Sequence, residues 1–236
     1  MTNKKDTINN FYELIDKNLQ KKPKLDKNFK QHQILPNSMI LCIGGTGSGK
    51  TNALMEFLNR KNNAFYEILL YTGSTVDEPL YNFLQKKIPD MKVFNNISEL
   101  PSLSEFDNDD NYDKDQAKML ILDDFINLNK KEMVKINEYL TSGRKFGFTV
   151  WLMAQNYTSV PKIITRNCNY FILFKLNDNT TINNIIRNHN IHGIDKEDFK
   201  NAYINSTSEP RQFFMIDLKG GRLTHLRNNF LNFINI

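Results

Sequence analysis

The sequence predicts an α/β fold: a mostly parallel central sheet flanked by helices, with a C-terminal β-hairpin. Three observations carry that expectation. Residues 38–51 run as a short apolar strand into a glycine-rich loop and then into a helical pattern. Further apolar runs alternate with helical patterns as far as residue 205, the rhythm of parallel strands joined by crossover helices. One of those runs ends in two adjacent acids, placed as a strand tip opening into the crevice of an open sheet.

Taken in order, residues 1–33 are polar and lysine-rich, yet Ile8, Phe11, Leu14, Ile15 and Leu19 recur at helical spacing. The pattern predicts an amphipathic helix at about 7–20, its stripe docked on the protein's own core, the favoured reading, or on a neighbouring subunit, then a basic linker Lys21–Lys30. Residues 1–36 thus form an arm, and 37–236 the main domain. The expected strands are Met39–Ile43, Ile68–Thr72, Met119–Leu122, Phe148–Ala154 and Tyr170–Leu176. The acidic, asparagine-rich stretch Glu105–Asp115 reads as an exposed loop. Gln212–Leu218, Gly220-Gly221 and Arg222–Arg227 predict a hairpin over about 211–228. No internal repeat is evident.

Composition narrows the class. A chain of 236 residues suits one α/β domain with short appendages. Its longest apolar runs are far short of the ~20 residues needed to span a bilayer. The start, Met-Thr-Asn-Lys-Lys-Asp, does not lead into the apolar core of a signal peptide. Two cysteines, Cys42 and Cys168, form no disulfide framework and point to a reducing compartment. The net charge of +5 tolerates a polyanionic partner, although solvated lysines alone would give it.

The loop carries the first chemistry. Gly44-Gly45-Thr46-Gly47-Ser48-Gly49-Lys50-Thr51 completes the phosphate-loop pattern G-x-x-x-x-G-K-[ST]. Its glycines leave N–H groups unshielded, so they can cradle phosphate oxygens. Lys50 reaches the β/γ-phosphates in this reading, and the Thr51 hydroxyl ligates Mg²⁺. Leu54, Phe57 and Leu58 continue a helix whose N-terminus favours the anion. The expected ligands are a nucleoside triphosphate and Mg²⁺.

Met119-Leu120-Ile121-Leu122-Asp123-Asp124 supplies the second part. Asp123 would hold Mg²⁺ through water, and Asp124 would accept a proton from the attacking water. Asp123 follows Lys50 by 73 residues, room for an intervening strand. The strand Phe148–Ala154 ends in Gln155-Asn156, and Gln155, with Asn156 second, can orient a water against the γ-phosphate. Adjacent acids and a terminal amide fit the additional-strand, catalytic-acid type of phosphate-loop NTPase, with a RecA-like core. A guanine-reading N-K-x-D motif is missing after the late strands, which favours ATP over GTP.

Two arginines complete the expected set. Arg144 lies in the loop leading into the strand that ends at Gln155, so it starts at the sheet edge opposite the γ-phosphate. It could reach a neighbour's nucleotide in a ring. Arg166 precedes the fifth strand and reads as a trans contact, a sensor, or a helix C-terminal charge.

The phosphate loop, Leu120-Ile121-Leu122-Asp123-Asp124, and the cassette Gly143-Arg144-Lys145 … Met153-Ala154-Gln155-Asn156-Tyr157 … Val160-Pro161 … Arg166-Asn167 together resemble the FtsK/HerA-type DNA-packaging ATPases. Within them the chain is most similar to the poxvirus-type enzymes of large DNA viruses, virophages and related elements. The similarity covers about residues 38–176. Many relatives carry Arg-His where this chain has Arg144-Lys145. The resemblance implies a homo-oligomeric ring, hexameric or pentameric, pumping double-stranded viral DNA into a capsid with ATP and Mg²⁺. Capsid or packaging proteins are candidate partners, the short apolar runs argue for no membrane, and the expected place is the host cytoplasm, a viral factory or the virion.

DNA contact needs only phosphate-binding cations lining a channel. Lys145, Lys162, Lys219, Arg222 and Arg227 are the candidates. The histidines lack metal-ligand spacing: His189 and His192 have no cysteine or acid partners, and His32 and His225 are isolated. The rival readings are a small-molecule or nucleotide kinase and a non-motor switch. The arginines show no cluster of the kind a kinase lid needs.

Overall fold

In the computed structural model the alternation of apolar runs and helices becomes a nine-stranded sheet with helices on both faces. Described residues are 9–16, 24–62, 64–73, 78–88, 90–106, 116–189, 191, 193–219 and 225–236. The strands are β1 Met39–Ile43, β2 Glu67–Thr72, β3 Met91–Phe94, β4 Lys118–Asp123, β5 Phe148–Ala154, β6 Tyr170–Leu173, β7 Phe214–Asp217, β8 His225–Asn228 and β9 Asn232–Ile234. Their order across the sheet is β3-β2-β4-β5-β1-β6-β7-β8-β9. From β3 to β6 every pairing is parallel; from β6 to β9 every pairing is antiparallel. Strand β5 therefore separates β1, which feeds the phosphate loop, from β4, which carries the paired acids.

The longer helices are α2 Lys50–Lys61, α3 Pro79–Lys87, α4 Lys130–Ser142, α6 Thr180–Asn188 and α7 Lys196–Ser206; α1 Phe29–His32 and α5 Lys162–Asn167 are short. Strand alternation divides the core between the two faces. Ile40, Cys42, Trp151 and Met153 meet Leu54 and Phe57 of α2 and Tyr81 and Leu84 of α3. Leu41, Leu120, Leu152 and Phe171 meet Ile136 and Tyr139 of α4, Ile182 of α6 and Phe199 of α7. Burial on both faces explains why the parallel strands read as continuous apolar runs. Trp151 stacks on Phe57 at 5.2 Å, locking α2 over β5. Both cysteines are free and buried, and no helix among the described residues is long and apolar enough to cross a membrane.

Two differences from expectation concern the N-terminal region. Within the helix expected at 7–20, the described residues form only a 3-10 turn, Phe11–Leu14; Ile8 and Leu19 lie outside the described residues. Phe11 is 66% and Leu14 81% exposed, so the stripe is not docked there as expected. The described part of the expected linker, by contrast, packs against the domain. Lys61 of α2 pairs with Asp26 at 2.9 Å, and His32 Nε2 lies 3.1 Å from the same carboxylate. Lys61 and His32 are both buried. Burial alone would raise the Asp26 carboxyl, but Lys61 and His32 hold it below its ordinary value.

At the other end, the expected hairpin corresponds to the antiparallel pair β7 and β8, whose turn lies outside the described residues. Strands β3 and β9 are additional, both short and at the sheet margins.

A candidate nucleotide site at the carboxyl edge of the parallel strands

Strand register brings the expected residues together. Ile43 is opposite Ala154 on one side and Leu173 on the other, while Asp123 is opposite Met153. The tips of β4, β5, β1 and β6 therefore end at one edge, where loops and helix N-termini converge. The Gly44 N–H donates to the Ala154 carbonyl at 3.1 Å, pinning the start of the phosphate loop beside Gln155. Gln155 and Asn156 are exposed at that edge.

The loop has the form of an anion cradle. Gly49 is the N-cap of α2 with φ 114°, a conformation that side chains with a Cβ rarely adopt. No heavy atom stands within 4 Å of where a Cβ would be at Gly45 or Gly47, so backbone faces open space there. Ser48 Oγ is buried without a hydrogen-bond partner. The Lys50 ammonium donates to the carbonyls of Gly44 and Gly45, at 2.7 and 3.0 Å, so it lies folded across the loop's own backbone. An orphaned hydroxyl, open N–H groups and a cation at a helix N-terminus fit a polyphosphate.

Asp123 and Asp124 differ in environment. Asp123 is half-buried, and its Oδ2 accepts a 2.7 Å hydrogen bond from the Tyr81 hydroxyl. Burial pushes its carboxyl above the ordinary value, the Asp124 charge adds to this, and the Tyr81 donor and Lys50 oppose it. Tyr81, on α3, also neighbours the Thr51 side chain; burial, with the Asp123 charge adding, raises its phenol. Thr51 and Asp123 thus share Tyr81 as a neighbour and could hold a Mg²⁺ ion together. Among the described residues no group of three or more His, Cys, Asp or Glu could hold a metal. Two protein oxygens are nonetheless compatible with Mg²⁺, which keeps waters and substrate phosphates as its other ligands. Asp124 is exposed, with left-handed backbone (φ 52°), a conformation Asp tolerates better than most residues.

Arg144 and Arg166 are not brought to this edge. Arg144 is exposed in the 3-10 turn Gly143–Phe146 that leads into the start of β5. Arg166 is exposed in the last turn of α5, just before β6. Both lie at the amino ends of the parallel strands. A cavity of about 330 Å³ opens there, lined by Ser38, Arg144, Asn169 and Lys219 among others.

The candidate DNA contacts separate as well. Lys145 and Lys162 are exposed. Lys219 is exposed beside Arg144, its ammonium 3.1 Å from Ser38 Oγ. Arg222 lies outside the described residues. Arg227 is corrected: it is 1% exposed and paired with the buried Asp217 carboxylate, and it donates to the carbonyls of Gln33 and Phe230. A guanidinium so enclosed is structural. The histidines follow packing: His32 is buried, His189 and His225 are half-buried, and His192 lies outside the described residues.

Two residues at the carboxyl edge went unread in the sequence. Tyr81 looks like any aromatic on an apolar helix face, with no spacing to tie it to Asp123. Arg211 lies in the turn before β7, and a Cβ at Gly49 would stand 3.3 Å from its Cγ. Pro210 marks a turn, but only β7 running antiparallel to β6 brings that turn beside the loop.

The sequence profile of the family described as Poxvirus A32 protein matches residues 26–217. No curated protein sequence is significantly similar to the chain. Among solved structures, the chain is similar to the DNA-packaging ATPase B204 from Sulfolobus Turreted Icosahedral Virus, with a TM-score of 0.56 at 15% identity, covering 81% of this chain and 97% of that one. It is also similar to the genome packaging NTPase B204 from Sulfolobus turreted icosahedral virus 2 in complex with ATP-gammaS (TM-score 0.52, 13% identity, 82% and 98% covered). A third similarity is to EssC (ATPases 2 and 3) from Geobacillus thermodenitrificans (TM-score 0.53, 12% identity, 83% and 40% covered). At these identities the structural likeness carries the fold.

Proposed function

The chain belongs to the Poxvirus A32 protein family, and from that premise we propose that it is an ATP-hydrolysing motor that moves double-stranded viral DNA into a preformed capsid as an oligomeric ring. The observation that carries the proposal is the strand order β4-β5-β1. It sets the acids and Gln155 beside a phosphate loop on one edge, while Arg144 and Arg166 stand at the other.

Each residue then has a task. With the Gly44 N–H committed to Ala154, the N–H groups of the loop that follows it and the Lys50 ammonium bind the phosphates of ATP, Lys50 leaving the loop carbonyls to do so. Thr51, and Asp123 through water, would hold Mg²⁺, which when bound would offset the negative charge of the phosphates. Asp124 takes the proton of a water that Gln155 orients in line with the γ-phosphate. Arg144 of one subunit, with Arg166 as the other candidate, reaches the nucleotide of the next, a contribution worth roughly 10³–10⁵ in rate where such fingers act. Of the candidates for sequence-independent phosphate contacts to DNA, Lys145, Lys162 and Lys219 remain.

The test is ATP turnover with and without duplex DNA, alongside the mass of the assembly. A motor gives turnover stimulated by duplex DNA in a ring. Slow turnover by a monomer, insensitive to DNA, would replace the motor with a switch, and a phosphorylated acceptor would replace it with a kinase.

A further inference from the structure

Arg144 and Arg166 lie at the far end of the sheet, but one arginine does lie against the phosphate loop. Strand β7 runs antiparallel beside β6, with Phe214 opposite Leu173, and Leu173 is opposite Ile43 at the tip of β1. The turn that precedes β7 therefore emerges at the same edge as the loop that follows β1. There Arg211 packs across the last glycine of the loop: a Cβ built on Gly49 would stand 3.4 Å from Arg211 Cα and 3.3 Å from its Cγ. Phe174 Cε1 would stand closer still, at 3.1 Å, and the φ of 114° at Gly49 already disfavours a side chain there. Arg211 itself adopts left-handed backbone (φ 66°), where glycine or asparagine is the usual choice. It is exposed, and no ion pair involves it among the described residues.

We propose that Arg211 is a second cation of the nucleotide site, binding in cis the β-phosphate of the nucleotide held on Gly44–Thr51. With Cγ beside Gly49, the guanidinium is three bonds further along the side chain, within reach of phosphate oxygens that the loop would hold. A planar guanidinium suits a phosphate group bidentately. The direction of approach defines its task. Arg211 comes from the β6–β7 side of β1, whereas Gln155, Asp123 and Asp124 stand on the β5–β4 side. It therefore strengthens the hold on the diphosphate and leaves the hydrolytic side of the γ-phosphate to the other residues. The inference rests on reading the loop as a nucleotide site.

The experiment is calorimetric titration of the full chain with ADP, a non-hydrolysable ATP analogue and AMP, each with Mg²⁺. The variants are Arg211→Gly, Arg211→Lys and Lys50→Ala. Arg211→Gly suits the left-handed backbone, so its melting temperature stays at or above that of the parent, separating binding from folding. Expected is a loss of roughly 10–100-fold in affinity for ADP and the ATP analogue, the size of a charge-assisted hydrogen bond. Arg211→Lys restores part of it, and AMP affinity changes little. Arg211→Gly binding ADP within twofold of the parent, while Lys50→Ala binds it far more weakly, overturns the role of Arg211 and leaves the loop intact. An equal loss for AMP overturns the β-phosphate assignment. If Lys50→Ala also leaves ADP binding unchanged, the reading of the loop falls with it.

Discussion

The phenol of Tyr81 donates a 2.7 Å hydrogen bond to Asp123 Oδ2, tying helix α3 to the tip of β4 beside Thr51. Under the proposed mechanism Asp123 would hold Mg²⁺ through water, so this bond fixes the rotamer of the carboxylate that positions that water. Tyr81→Phe keeps the buried ring, 4% exposed, and removes only the donor. The expected outcome is an unchanged melting temperature with a Mg²⁺ requirement for turnover raised about tenfold, as the loss of a hydrogen bond to a charged group predicts. A Mg²⁺ titration of ATPase rate checks this. An identical half-saturation point would reduce Tyr81 to packing.

Gly73 and Asp124 make the second prediction. A Cβ at Gly73 would meet the Asp124 carbonyl oxygen at 2.7 Å, a clash with backbone that cannot swing aside. Gly73→Ala should therefore displace Asp124, the assigned base, and slow hydrolysis while ATP still binds. Asp124→Asn should do the same without moving backbone, losing roughly 10²–10⁴ of the rate. Single-turnover hydrolysis after equilibrium binding tests both. Normal turnover in Asp124→Asn would remove the base from that residue.

Much of this edge could be read from sequence because it is written in short contiguous strings. A glycine-rich loop between strand and helix, and an apolar run ending in two acids, each declare their local conformation. The continuous apolar strands also declared a sheet covered on both faces. Tyr81 and Arg211 could not be read, because their relevance comes from contacts made across the fold, to Asp123 and Gly49. Arg227 misled for the same reason. In sequence it is one cation among many near a glycine turn, and only the pairing of β7 with β8 encloses it with Asp217. Strand β3 is short and half-buried at the sheet margin, so its pattern is weak.

Arg227 yields a prediction opposite to the one its charge suggests. Burial pushes the Asp217 carboxyl upward and Arg227 opposes that, so Arg227→Ala leaves a buried carboxylate without its partner. The expected cost is about 3–5 kcal/mol of stability, read from urea unfolding. Replacing both partners with apolar residues of similar volume should recover much of the loss. A stable Arg227→Ala variant with weakened DNA binding would restore the discarded reading.

His32 links stability to acid. Its Nδ1 accepts the Ile34 N–H at 3.0 Å while Nε2 faces Asp26, so the neutral ring is held with its proton on Nε2. Burial lowers its pKa below 6.5; Asp26 opposes this, and Lys61 and Arg60 reinforce it. The folded state therefore binds fewer protons than the unfolded one. Its stabilisation is complete above about pH 6.5 and fades as pH falls below it. His189, also lowered by burial, contributes in the same direction. His32→Asn keeps an acceptor for Ile34 and removes the titration. Melting temperature should thus fall less between pH 7.5 and 5.5 in His32→Asn than in the parent, though from a lower start. Equal slopes would mean His32 does not set the acid limit.

Arg144 decides whether the site is shared. It stands at the amino ends of the strands, the phosphate loop at their carboxyl ends, with the β5 strand between. A contact with its own nucleotide would have to cross the thickness of the domain, so any catalytic role must act on a neighbour. Arg144→Ala and Lys50→Ala should each be inactive alone. Mixed before assembly, they form rings in which an intact loop meets an intact arginine wherever a Lys50→Ala subunit presents Arg144 to an Arg144→Ala subunit. ATP turnover should then reappear, peaking near an equimolar mixture, because the number of such junctions is greatest there. Mixed rings confirmed by mass that stay inactive at every ratio would count against a trans role and pass the question to Arg166, for which the same mixing experiment can be run.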